Sequence, residues 1–139
     1  DQASVVHTLV QGGMGALGLV KRARADFEAA IKLDASALDG AAYTSLGALY
    51  YQVPGWPVGF GDDEKAEAML KQALAINPDG IDPNYFYGDY LARAKRFEEA
   101  KAALEKALQA PPRPNRQSAD VGRKQEIQVL LNKVNAELQ

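Results

Sequence analysis

Small and bulky apolar residues recur along this chain at fixed spacings. One set lies at Ala66, Leu70, Ala73 and Pro78, and residues of the same types return 34 positions later at Ala100, Leu104, Ala107 and Pro112. An earlier and weaker copy is formed by Ala23, Phe27, Ala30 and Ala35. Residues three and four positions apart share one face of a helix, and a proline just past a helix stops it. A repeat of this length predicts helical hairpins that bury their apolar faces against neighbouring helices.

A second motif precedes each of the two stronger copies. It reads Tyr43-x-x-Leu46-Gly47-x-x-Tyr50 before the first and Asn84-x-x-Tyr87-Gly88-x-x-Leu91 before the second. The glycine has no side chain, so a second helix can cross closely there and insert a bulky residue. We therefore predict that Gly47 and Gly88 lie at helix–helix crossings, with Leu70 as the knob of the earlier hairpin.

Together these motifs resemble the tetratricopeptide repeat, with Tyr43 of the earlier motif at the position of the family's first tryptophan. Nearly complete copies span residues 40–80 and 81–114, and a degenerate copy spans residues 4–39. The resemblance implies an all-α fold, namely a short right-handed solenoid of three helical hairpins followed by a C-terminal capping helix. We expect one domain over residues 1–139.

The capping helix is predicted over residues 119–138. Its apolar stripe consists of Ile127, Leu130, Leu131, Val134 and Leu138. The terminal unit of a repeat array needs a polar outer face, and a single amphipathic helix supplies one. We interpret this helix as a cap, and its docking into a partner protein is the alternative.

The turn inside the second repeat is longer than its counterpart in the third. Gly47 precedes Ala66 by 19 residues, whereas Gly88 precedes Ala100 by 12, so seven residues are inserted. The insertion falls in the segment 53–61, which is too rich in proline and glycine to be helical. Asp62 follows as the predicted N-cap of the next helix. Over a short stretch this loop is similar to the Gly-rich turn in the T-component of TRAP-type transporters, which are bacterial envelope proteins.

Trp56 is the single tryptophan and lies in the inserted loop. It is either packed over the hairpin as a plug or held out as a contact for a partner, because aromatic residues in interaction loops often become hot spots. We favour packing, since Pro54 and Pro57 predict a stiff, docked loop.

The family resemblance also implies which residues face the concave groove, since the first helix of each hairpin lines it. The implied residues are Tyr85, Asp89 and Arg93 in the third repeat, Thr44, Ala48, Tyr51 and Gln52 in the second, and Thr8, Gly12 and Gly15 in the first. The best-known groove of the family grips a C-terminal carboxylate with lysine and asparagine. The corresponding residues here include Thr44 and Asp89, so that clamp is absent. We expect an aromatic, mildly polar groove.

Charge and composition exclude several kinds of partner. Sixteen basic and eighteen acidic residues give a formal net charge of −2, which predicts neither nucleic-acid binding nor attraction to an anionic membrane. No apolar run approaches the ~20 residues of a membrane span. The chain contains no cysteine.

Because the chain begins at Asp1 without a methionine, we expect that a leader or a longer N-terminal part was removed, and we favour export to the periplasm over a cytoplasmic location.

No catalytic site, metal site or cofactor is predicted. His7 is the only histidine and has no acidic cluster near it in the sequence. Residues 13–18 spell G-x-G-x-x-G, the fingerprint of a dinucleotide-binding turn. That turn requires a second strand, but residues 23–33 have helical periodicity instead. The simpler interpretation is that Gly12, Gly15 and Ala16 let helices of the first repeat pack closely.

The sequence thus favours a non-catalytic module that binds a protein or peptide on the concave face of a repeat array. Thr44, Tyr51, Gln52, Tyr85, Asp89 and Arg93 are the predicted contacts, with Trp56 as a possible loop contact. The alternative is a small-ligand-binding accessory protein of a bacterial envelope transport system. Self-association is also plausible, because the glycine-rich first repeat has few large residues with which to cover its outer face.

Overall fold

A computed structural model describes residues 14–139, and this part of the chain is helical. It contains six helices: α1 (Met14–Leu33), α2 (Ala41–Gln52), α3 (Asp63–Ile76), α4 (Ile81–Arg93), α5 (Phe97–Leu108) and α6 (Gln117–Glu137). The all-α prediction is confirmed. Thr8 and Gly12, predicted groove residues of the first repeat, lie outside the described residues. The chain divides into two compact units, residues 1–76 and 77–139.

Each unit contains one repeat hairpin with the predicted glycine at its crossing. In the first unit α2 packs on α3, and a Cβ added to Gly47 would lie 2.8 Å from Leu70 Cγ. In the second unit α4 packs on α5, and a Cβ on Gly88 would lie 2.7 Å from Leu104 Cδ2. Both leucines are fully buried. Carbon atoms cannot approach so closely, so each hairpin depends on the missing glycine side chain.

The first unit has its apolar centre where α1 meets α2. Val20, Leu49 and Val53 form a buried cluster, and Phe60 from the inserted loop packs against it. Between α1 and α2 the chain turns through left-handed backbone at Leu38, Asp39 and Gly40. Gly40 also lies close to Ile76 at the end of α3, where a Cβ would come within 3.2 Å of its side chain.

Helix α6 covers the hairpin of the second unit as a cap. It begins at Gln117, two residues before the predicted start, and contacts both α5 and α4. Ile127, Leu131 and Val134 of its apolar stripe are buried. The unit's own helices cover these three residues, as the capping interpretation expects, whereas Leu130 and Leu138 of the same stripe are half-buried.

A network of charged side chains holds the N-terminal end of α6. The Arg113 backbone N–H donates to Asp120 Oδ2 at 2.9 Å, and Arg113 Nε donates to Asp120 Oδ1 at 2.6 Å. These hydrogen bonds and the Arg113 charge hold the pKa of the buried Asp120 carboxyl below its ordinary value of 3.8. Asp82 on α4 pairs with Arg113 at 3.2 Å and with Arg123 at 3.0 Å. The network joins α4, the loop before α6 and α6 itself.

The glycine crossing can be tested in the second unit by substitution. Gly88→Leu should lower the free energy of unfolding by ~1–3 kcal/mol, because its side chain must displace Leu104. Gly122→Ala is the matched control, since Gly122 lies inside α6 with no atom within 4 Å of an added Cβ. The control should gain up to ~1 kcal/mol from the better helix propensity of alanine. Urea unfolding of the two variants gives the comparison, and equal stability of Gly88→Leu and wild type would contradict the crossing.

Candidate functional site

An open groove lies in the second unit between α4 and α6, and we call it the α4–α6 groove. It consists of two adjoining cavities of about 590 and 500 Å³. Asp89, Leu130 and Lys133 line both cavities. The remaining lining residues are Tyr85, Gly122, Gln125, Glu126 and Val129 in the first, and Ala92, Arg93, Lys95, Phe97, Val134, Ala136 and Glu137 in the second.

Three predicted groove residues form the α4 wall. Tyr85, Asp89 and Arg93 are four residues apart, so they project from one face of the helix. Gly88 and Leu91 are buried, and Leu91 is fully so, which leaves the Tyr85 face for the groove. All three residues predicted for the third repeat line the α4–α6 groove, and their contact with a ligand stays a prediction.

The wall opposite, from α6, was not predicted to face the groove. Leu130 was assigned to the apolar stripe but is only half-buried, and Val129 is exposed. Glu126, Leu130 and Lys133 follow a four–three spacing, which places them on one helix face. This spacing beside the apolar stripe is the signal that would have indicated a second groove wall.

Charges of both signs surround the apolar floor of the groove. On α4, Arg93 Nε lies 3.4 Å from Asp89 Oδ2, and on α6, Arg123 Nη1 lies 3.1 Å from Glu126 Oε2. Lys133 lies between the two cavities and makes no ion pair within the described part of the chain. Its ammonium group is therefore available to a carboxylate on a ligand.

Tyr85 contributes to the fold as well as to the groove. The Arg123 guanidinium lies 4.6 Å from the centre of its ring, and the Phe86 ring meets it edge-on at 5.0 Å. Burial, followed by the negative charges of Asp89 and Glu126, raises the pKa of the Tyr85 hydroxyl to about 12. The Tyr85 ring is half-buried beneath the Arg123 guanidinium, so it contributes to packing in the second unit as well as to the groove lining.

The predicted groove residues of the second repeat have a different arrangement. Thr44 is buried, with 5% of its surface exposed, and Ala48 is fully buried, so neither can contact a ligand as predicted. Tyr51 and Gln52 are half-buried at the end of α2, where Gln52 Nε2 donates to Tyr51 Oη at 3.2 Å. They line a separate pocket of about 350 Å³ in the first unit, together with Asp62 and Asp63.

The inserted loop is fixed at its base by backbone hydrogen bonds. Gly61 N donates to Pro54 O at 2.9 Å, and Asp62 N donates to Tyr50 O at 2.8 Å. A Cβ on Gly61 would fall 1.8 Å from Val53 O, so only glycine fits there. Asp62 Oδ1 accepts a hydrogen bond from Lys65 N at 3.0 Å, which confirms the predicted N-cap of α3.

Trp56 lies at the tip of this loop with 91% of its surface exposed. Our preference for a packed indole is therefore wrong. Phe60 occupies the apolar contact instead, since its ring meets Tyr50 edge-on at 5.8 Å and carries the Arg24 guanidinium 4.3 Å from its centre. With that position filled, the turn that precedes Phe60 projects Trp56 into solvent.

Comparison with known families agrees with the geometry. Residues 59–119 match the family model of the tetratricopeptide repeat, a segment that spans α3, α4, α5 and the start of α6. Together with the two glycine crossings, this match supports a tetratricopeptide repeat protein, and such repeats generally mediate protein–protein interaction. No curated protein gives a significant match. Along residues 14–139, no helix combines the length and apolar character needed to cross a membrane.

The double role of Tyr85 can be tested with two substitutions. Tyr85→Ala should lower the free energy of unfolding by about 1–2 kcal/mol at neutral pH, because it removes a half-buried ring and its contact with Arg123. Tyr85→Phe keeps the ring and should remain close to wild type under the same conditions.

The raised pKa adds a pH dependence to this comparison. Between pH 10.0 and about 12 the unfolded chain releases the Tyr85 proton while the folded chain retains it. The stability of wild type should therefore fall as the pH rises through this interval. Tyr85→Phe should lose less stability there, as measured by urea unfolding at each pH. Identical pH profiles for the two proteins would show that the hydroxyl is not protected as described.

Proposed function

We propose that this protein is a non-catalytic module that binds a peptide or protein segment in the α4–α6 groove. The observation that carries the proposal is that Tyr85, Asp89 and Arg93, which the repeat pattern assigns to the concave face, line this groove together. The interaction role that is general for this family supports it.

The dimensions of the groove fit a short extended segment. From Tyr85 to Arg93 is eight residues of helix, or roughly 12 Å at 1.5 Å per residue. An extended peptide advances about 3.3 Å per residue, so about four ligand residues span this wall. The two cavities are open to solvent, as the binding of a peptide from solution requires.

The lining defines which ligand residues fit. Leu130 and Val129 offer apolar contact, so an apolar ligand side chain gains free energy by burial against them. Lys133 beside these residues favours a ligand carboxylate, and the Asp89–Arg93 pair on the opposite wall supplies further polar contacts. The ligand class that fits best is a segment in which acidic residues flank one or two large apolar ones.

Synthetic peptides test this assignment directly. Fluorescence anisotropy compares a labelled peptide of alternating leucine and glutamate with its twin, in which lysine replaces glutamate. The wild-type protein should prefer the acidic peptide. Lys133→Glu should weaken its binding about fivefold or more, since one exposed ion pair contributes up to ~1 kcal/mol and is here replaced by repulsion.

Lys124→Glu is the control for this measurement. Lys124 is exposed on the same helix but does not line the groove. Lys124→Glu therefore changes the net charge of the protein as much as Lys133→Glu does and leaves the groove lining unchanged. The acidic peptide should bind this variant nearly as well as wild type. Equal effects of the two substitutions would indicate attraction by overall charge and would contradict a site at Lys133.

The pocket of the first unit supports the alternative, a small-ligand-binding accessory protein of an envelope transport system. Tyr51, Gln52, Asp62 and Asp63 line a volume of about 350 Å³ beside the loop that resembles the transporter T-component. This volume lies in the range of small-molecule sites. Its two carboxylates, Asp62 and Asp63, favour a neutral or cationic ligand.

A further inference from the structure

The inserted loop presents an exposed apolar tip that has no role in its own unit. Trp56 is 91% exposed and Val58 is 67% exposed. Pro54 and Pro57 are also exposed, so four apolar residues within five positions are open to solvent. The hydrogen bonds at the base of the loop and the packing of Phe60 hold this tip in one place. A preformed aromatic tip loses little conformational entropy on binding, and tryptophan is the residue most enriched in binding hot spots.

Acidic residues follow the apolar tip in the sequence. Asp62, Asp63 and Glu64 come within eight residues of Trp56, and the latter two are exposed on the first turn of α3. An aromatic tip followed by acidic residues fits an apolar cleft with a basic rim.

The second unit of the same chain offers a cleft of that description. The 500 Å³ cavity of the α4–α6 groove has apolar walls that include Phe97, Leu130 and Val134. Basic residues outnumber acidic ones in its lining, with Arg93, Lys95 and Lys133 against Asp89 and Glu137, and we call Lys95 and Lys133 its basic rim. The volume is large enough to admit an indole ring, and the basic rim complements the acidic flank of the loop. The ligand class deduced for the groove, apolar residues flanked by acids, also describes this loop.

We propose that the Trp56 tip of one copy occupies the α4–α6 groove of a second copy of this chain. The proposal rests on the proposed function, because it uses the same groove. The contact joins two different surfaces, so a dimer still presents one free groove, on the copy whose tip is bound, and one free tip, on the other copy. Association is therefore head-to-tail and extends beyond the dimer as the concentration rises. The surfaces are small, so the complex is weak and dissociates on dilution.

Sedimentation velocity and tryptophan fluorescence of the full chain provide the test, over concentrations from ~10 μM to ~1 mM, where small interfaces dissociate. Trp56 is the only tryptophan, so the emission reports this residue alone. We expect the weight-average mass to rise with concentration while the emission maximum moves to shorter wavelength. Added salt should reduce both changes.

Two variants and their mixture identify the surfaces. Trp56→Ala removes the tip, and the double variant Lys95→Glu/Lys133→Glu reverses the basic rim; each should stay monomeric alone. Mixed in equal amounts they should form a dimer and nothing larger, because one supplies the only intact tip and the other the only intact groove. Leu33→Ala, at another highly exposed apolar residue, and Lys101→Glu/Lys124→Glu, with the same charge change, should associate like wild type.

Several outcomes would overturn the proposal. A wild-type mass and emission that do not change with concentration would do so, as would association of Trp56→Ala equal to that of wild type, or a mixture that stays monomeric. The test also separates the two proposals. Failure of self-association while Trp56→Ala binds the leucine–glutamate peptide leaves the peptide-binding function standing, whereas loss of both rejects the groove as a binding site.

Discussion

The close approach of a helix backbone to one leucine side chain determines the geometry of each repeat hairpin. A Cβ on Gly88 would lie only 2.7 Å from the Leu104 side chain, and a Cβ on Gly47 would lie 2.8 Å from the Leu70 side chain. The approach fixes which face of α4 turns toward α5. With Gly88 and Leu91 on the buried side, Tyr85 and Asp89 must turn away from that contact, and the α4 wall of the groove follows.

The second wall depends on polar contacts rather than on the repeat packing. Asp120 is buried at the start of α6, where a carboxylate is costly unless it is paired, and Arg113 supplies both a backbone and a side-chain donor. Asp82 then connects Arg113 and Arg123 to α4. Arg123 in turn covers the Tyr85 ring, so the network that positions α6 also shapes one end of the groove.

The sequence predicted those features that depend on local spacing. The helical hairpins, the two glycine crossings, the Asp62 cap and the α4 face of the groove each follow from contacts between residues at fixed separations. Trp56 could not be placed in this way. The inserted loop contains two aromatic residues, and Phe60 rather than Trp56 packs beside Tyr50. The backbone conformation at Gly59 and Gly61 determines which of them does so. The spacing of apolar residues in the sequence does not reveal that conformation.

Thr44 and the α6 wall show a second limit of sequence reasoning. The family resemblance assigned Thr44 by alignment alone, and burial of its side chain depends on packing within the first unit. The contribution of α6 was missed because its stripe was interpreted as wholly core. Leu130 lies at the edge of that stripe, and whether such a residue faces the core or the groove depends on the rotation of the helix, which the Asp120 network helps to set.

The central claim is that a ligand binds between α4 and α6, and chemical-shift mapping tests it most directly. The ¹⁵N-labelled Trp56→Ala protein, which cannot present its own tip, is titrated with the leucine–glutamate peptide. The account predicts that the largest amide shifts occur at the residues shared by both cavities, Asp89, Leu130 and Lys133. Largest shifts around Tyr51 and Gln52 in the first unit, or no shifts at peptide concentrations that saturate the anisotropy signal, would contradict it.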